Sequence, residues 1–183
     1  MYKDIDSYIK EVNTALGNLN LGIIERIIKN IERVKGSDKH VYLIGNGGSA
    51  ATAIHMACDL VKKCNIKAIA LTANIANITA FANDVSYDDA FSEQLRVFLE
   101  KGDVVIAISA SGESKNVIKA VRLARSKGNM VIALTGFMMG GKLAKLADIS
   151  LVVKSNSYGV VEDVHMTFNH ILSKVLSMQK NTG

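Results

Sequence analysis

At 183 residues, with 49% apolar and 21% charged, the chain has the composition of one soluble globular domain with a sizeable core. Its net charge of +5 is thinly spread apart from Lys62-Lys63 and Arg122/Arg125/Lys127, so it lacks the dense basic stripe of a nucleic-acid binder and favours a small anionic ligand. The charged start Met1-Tyr2-Lys3-Asp4, the absence of a membrane-length apolar run, and two cysteines (Cys58 and Cys64) at no metal or redox spacing point to a reducing, cytoplasmic setting without a disulfide.

A helix is predicted over about 5–16 and a second over 21–34, where Ile23, Ile24, Ile27, Ile28, Ile31 and Val34 recur at helical spacing. Strands are predicted at 41–44, 68–71, 104–109, 130–135 and 149–153, alternating with helices at 49–63, 87–100, 114–126 and 142–147. A last helix is predicted over 160–178. Val104-Val105-Ile106-Ala107-Ile108 is apolar without alternation, as a parallel strand covered on both faces requires. The pattern predicts an α/β fold, an open five-stranded parallel sheet with right-handed crossovers and helices on both sides. Ligands of such sheets bind beyond the carboxyl ends of the strands.

Two glycine- and serine-rich turns fall at those ends. Gly45-Asn46-Gly47-Gly48-Ser49-Ala50 follows the first strand and opens a helix, so its free amides and the helix dipole can cradle an anion. It matches neither a Walker A loop nor GxGxxG, and no nucleotide is indicated. Ser109-Ala110-Ser111-Gly112-Glu113-Ser114 follows the third strand and supplies three hydroxyls suited to phosphate; equally, Ser114 reads as a plain N-cap and Gly112 as a turn residue.

His55 and Asp59, four apart on one helix face, are either a metal-binding pair or a hydrogen-bonded surface pair. Glu162, His165 and His170 bring further ligand types, His165 being the one that reads more as structural. On a continuous helix the Cα atoms of Glu162 and His170 stand ~12 Å apart. One ion then takes both only if Glu162 lies at a bent end or two subunits share the site. Asn83-Asp84 either orient a sugar or end a helix and begin a loop.

Together these blocks resemble the SIS (sugar isomerase) domain family, and within it the phosphoheptose isomerases. The likeness rests on GNGGSAA at 45–51, His55 with an acid at 59, Ala-Asn-Asp at 82–84, GDVVIAISASGES at 102–114, ALTG at 133–136, GGKLAKLAD at 140–148 and EDVHMTFNH at 162–170. The resemblance implies a flavodoxin-like three-layer αβα sandwich over 1–183, with 1–36 a helical segment serving assembly into a homotetramer. It implies isomerisation of sedoheptulose 7-phosphate to D-glycero-D-manno-heptose 7-phosphate through an enediol, with zinc, one per subunit, often taking part. Residue by residue, it places the substrate against Asn46, Gly47, Gly48 and Ser49, the sugar hydroxyls against Asn83 and Asp84, and the phosphate on Ser109, Ala110, Ser111 and Ser114. His55, Asp59, Glu162 and His170 stand at the family's metal positions, Asp59 and Glu162 also facing substrate, and Asp59 with His170 are its proton-transfer pair.

The chain departs from the pattern at named positions. Asp59 replaces the family's Glu, a carboxylate withdrawn by ~1.5 Å, and displacements of about 1 Å can cost on the order of a hundredfold in rate. Glu162 replaces Gln and adds negative charge; Val160 and Lys63 replace arginines; Ala110 replaces Thr but keeps its backbone amide. These changes suggest another sugar phosphate or an altered grip on the same one. A second reading is a non-catalytic SIS protein of the replication-initiator-associating type, a branch that lacks the proton-transfer pair. A third, a sugar-phosphate sensor, has no DNA-binding segment to support it.

Overall fold

Alternate residues of the central strands serve two different cores. In the computed structural model, which describes residues 1–178, Val41 and Leu43 of β1 (Val41–Gly45) face one side of the sheet, and Tyr42 and Ile44 the other. Strand β3 (Val104–Ser109) divides likewise, Val104, Ile106 and Ile108 on one side and Val105 and Ala107 on the other. Both strands are buried along their length, which is why their sequences show no polar alternation.

With β2 (Ala68–Ala70), β4 (Met130–Thr135) and β5 (Ile149–Val152) these strands form one parallel sheet in the order β2-β1-β3-β4-β5. The first face carries α2 (Leu21–Glu32), α3 (Gly47–Cys64) and α8 (Tyr158–Met178). The second carries α5 (Ala90–Phe98), α6 (Lys115–Ser126) and α7 (Gly141–Leu146). The result is the three-layer αβα sandwich expected. Helix α1 (Tyr2–Gly17) lies along α8, where Tyr8 donates to Asp163 at 2.7 Å.

Two local expectations change. The segment after β2 holds a short 3₁₀ turn, Leu71–Ala73, and then α4 (Ile75–Asp84), a helix the sequence reading did not include. The helix expected over 87–100 is a 3₁₀ turn at Tyr87–Asp89 followed by the shorter α5. In addition, the apolar stripe of α2 packs inside its own subunit: Ile24, Ile27, Ile28 and Ile31 are buried with the sheet and α8. Apart from Leu21 at the start of α2, the uncovered apolar side chains of these two helices lie on α1, at Tyr2, Ile5, Tyr8 and Ile9.

Candidate active site

The strand order reverses direction between β1 and β3, because β1 sends the chain one way to β2 and β3 sends it the other way to β4. The turns leaving these two strands part there and open a crevice. A cavity of about 240 Å³ occupies it, lined by Asn46, Gly47, Gly48 and Ser49 from the first turn and Ser109, Ala110, Ser111 and Ser114 from the second. Ile108, Tyr158 and Glu162 complete it. Helix α3 begins at this cavity and α6 just beyond it, so two helix N-termini face it. No Lys or Arg is in the lining, and hydroxyls and main-chain amides are the donors available to an anion.

The serine turn is braced from within and without. Ser109 and Ser114 hydroxyls lie 3.1 Å apart, and the Gly112 amide donates to the Ser109 hydroxyl at 3.2 Å. Gly112 has φ +66, and a Cβ there would strike the Gly140 carbonyl, so only glycine allows the two loops to close on each other. The Leu143 amide bonds the Gly112 carbonyl at 3.0 Å, and Lys142 pairs with Glu113 at 2.9 Å. Ser114 sits at the N-cap position without capping through its side chain, leaving its hydroxyl turned toward Ser109.

Asn46 is held by two residues that the motifs did not single out. Its amide exchanges hydrogen bonds with Asn116 (2.9 and 3.0 Å), and the Tyr87 hydroxyl donates to its Oδ1 at 2.8 Å. Tyr158, also unanticipated, reaches the cavity while Phe137 packs edge-on against its ring. Asn116 lies only two residues beyond Ser114, and that nearness was the one available signal for it.

Farther along α3, and on α8, His55, Asp59 and His170 bring one donor atom each to within 4.8 Å of one another. The imidazoles meet edge to face with centroids 5.1 Å apart, and His55 Nε2 is 3.7 Å from Asp59 Oδ2. Two imidazoles and a carboxylate are a donor set suited to a catalytic zinc with an open position, where donors stand roughly 3.4 Å apart. Asp59 is 4% exposed and well tied: Lys63 reaches Oδ1 at 2.9 Å, and Asn169 and Ser173 donate to Oδ2 at 3.3 and 3.2 Å. Burial pushes its carboxyl up, but Lys63, with His55 and Ser173, outweighs that and holds it below its ordinary value.

Glu162 is not in this three-residue group. It stands two turns before His170 on the unbroken α8, and its carboxylate lies against Gly48, where any Cβ would collide with it. Asn83 and Asp84 end α4, exposed and bonded to each other at 2.7 Å, and neither lines the cavity. His165 is fully buried, its Nε2–H donating to the Thr135 carbonyl at 3.1 Å, and burial pushes its pKa down to about 4. That is a structural histidine.

Residues 7–136 match the model of the SIS domain. The chain belongs to the SIS domain family. This SIS domain is 39% identical over 178 residues to a probable phosphoheptose isomerase of Thermoplasma acidophilum, covering 94% of the chain and 97% of the relative. Among solved structures it superposes on the phosphoheptose isomerase of Neisseria gonorrhoeae with a TM-score of 0.88 and 31% identity, covering 96% of each chain. The phosphoheptose isomerase of Francisella tularensis gives 0.89 and 28%, covering 97% of this chain and 98% of the other.

Proposed function

We propose that this SIS protein is an aldose–ketose isomerase that converts sedoheptulose 7-phosphate to D-glycero-D-manno-heptose 7-phosphate through an enediol. The observation that carries the reading is the joining of a phosphate-type cradle to a His–Asp–His group by one pair of helices, α3 and α8. The phosphate takes Ser109, Ser111, Ser114 and the α6 amides; the sugar lies against Asn46–Ser49. Asn83 and Asp84 belong to the family's substrate set and reach a sugar only if the ligand extends beyond the cavity of one subunit. His55, Asp59 and His170 would hold a zinc ion, with Glu162 the family's fourth position. When bound, such an ion supplies Lewis-acid polarisation of the carbonyl oxygen. On the family pattern Asp59 and His170 form the proton-transfer pair. Assembly into a tetramer through the uncovered face of α1, and a cytoplasmic location, complete the proposal. Among the described residues no helix is long and apolar enough to cross a membrane.

The test is a panel of phosphorylated ketoses and aldoses, with metal analysis of the purified protein beforehand. Conversion of sedoheptulose 7-phosphate and about one zinc per subunit are expected. Binding of sugar phosphates without conversion of any of them would favour the non-catalytic reading.

A further inference from the structure

Asn46 stands at the N-cap of α3, yet its side chain does not cap that helix. An asparagine there ordinarily accepts from one of the next amides through its Oδ1. Here both Oδ1 lone pairs are taken from elsewhere, one by Asn116 Nδ2 at 3.0 Å and one by the Tyr87 hydroxyl at 2.8 Å. Asn46 Nδ2 spends one hydrogen on Asn116 Oδ1 at 2.9 Å, so a single N–H remains. The two amides cannot turn over together. The Val117 main-chain N–H donates to Asn116 Oδ1 at 2.9 Å, and it can only donate. Asn116 is therefore fixed with its oxygen toward Val117 and its NH2 toward Asn46 Oδ1, which fixes Asn46 in turn.

Neither Asn116 nor Tyr87 lines the cavity that Asn46 lines. Asn116 is 2% exposed in the first turn of α6, and Tyr87 is 51% exposed on the 3₁₀ turn ahead of α5. They reach Asn46 from 70 and 41 positions away. A buried amide pair adds little stability over an apolar pair of the same shape, so packing alone does not call for it. We infer that Asn116 and Tyr87 are positioning residues for ligand recognition, an assignment that rests on the sugar lying against Asn46–Ser49. They hold Asn46 off its own helix and leave it one N–H, and no acceptor, to offer the ligand. The clamp thereby sets what Asn46 recognises: the ligand atom opposite it must accept, as a carbonyl oxygen or the lone pair of a sugar hydroxyl does. The amides of the glycine turn stay open beside it, because Asn46 does not occupy them. Without the clamp, the Asn46 amide is free to rotate and present its oxygen instead.

The experiment is calorimetric titration of the full-length protein with sedoheptulose 7-phosphate and, separately, with inorganic phosphate. Asn46→Ala is expected to weaken sedoheptulose 7-phosphate about tenfold, Asn116→Ala by about the same factor and Tyr87→Phe about threefold. Inorganic phosphate, which the serine turn holds, is expected to stay within about twofold in all three. In the Asn46→Ala background, Asn116→Ala and Tyr87→Phe are each expected to add nothing, because both act through the side chain already removed. Tyr87→Phe takes away one hydroxyl of a half-exposed ring, so it carries the test if Asn116→Ala fails to fold. Losses that multiply in the double variants overturn the assignment. A parallel fall in the two affinities overturns it as well, since a general loosening of the turns would produce that. A wild-type protein that does not bind sedoheptulose 7-phosphate, or an Asn46→Ala variant that binds it as well as wild type, overturns the placement of the sugar and this assignment with it. The isomerase reading fails separately, when wild type binds this ligand without converting it.

Discussion

Lys63 closes a 2.9 Å ion pair onto Asp59 across one turn of α3, so a half-exposed cation holds a buried carboxylate in place. Removing the cation leaves that carboxylate buried with only neutral donors and His55. Lys63→Met is expected to lower stability at pH 7 by about 1–2 kcal/mol in denaturant titration. The Asp59 carboxyl is depressed in the fold, so its contribution is present above the ordinary value of 3.8 and fades as pH falls through the folded value. The difference between wild type and variant should therefore shrink below about pH 4.

His165 gives an acid limb of its own. Its folded pKa of about 4 lies below the ordinary 6.5, so the unfolded chain binds the proton more tightly. Stability from this residue is full above pH 6.5 and is lost progressively down to about pH 4, some 3 kcal/mol in all. Urea midpoints measured across that window should fall, and His165→Met should flatten the fall even if it lowers the starting value.

Gly48→Ala separates folding from activity. Its Cβ would meet the tip of a flexible glutamate rather than backbone, so the fold can accommodate it by moving Glu162. The thermal midpoint is expected to stay within a few degrees while kcat drops at least tenfold. Gly112→Ala meets the Gly140 backbone at positive φ and should instead cost several kcal/mol, read from unfolding curves.

Ser111→Ala and Ser114→Ala each remove one hydroxyl from the cavity lining. Each is expected to weaken binding of inorganic phosphate by about five- to tenfold in calorimetry, with the fold retained. Unchanged phosphate affinity in both would remove the serine turn from the anion site.

Much of the architecture was legible because β1, β3 and β4 are apolar on both faces and the helices between them carry plain periodicity. Helix α4 was not: Ile75–Asp84 has no buried residue, so its sequence carries no core-facing stripe to read. Asp84 does close that helix, in line with the plain reading of the Asn83-Asp84 pair. The stripe on α2 was visible, but periodicity says that a face is covered, not by what, and the cover proved to be the chain's own sheet and α8. At the site, spacing predicted that His55 and Asp59 share a face. For Asn116 it offered only nearness to Ser114, and for Tyr87 nothing; the two converge on Asn46 through the tertiary fold. The placement of Glu162 beside Gly48 likewise joins residues more than a hundred positions apart, beyond the reach of any local pattern.

The loop that runs from Gly136 into α7 meets the serine turn through its backbone, the Gly136 amide donating to the Ala110 carbonyl and Gly140 lying against Gly112, and it forms a wall against which that turn is pressed. Glu113 receives the Lys142 amide from 29 residues away. On the proposed reading, the grip on the phosphate is therefore set partly by residues that never meet it. Variation within 136–142 would retune affinity while leaving every donor in place, and a chain of this kind can change how tightly it holds its ligand without changing what it uses to hold it.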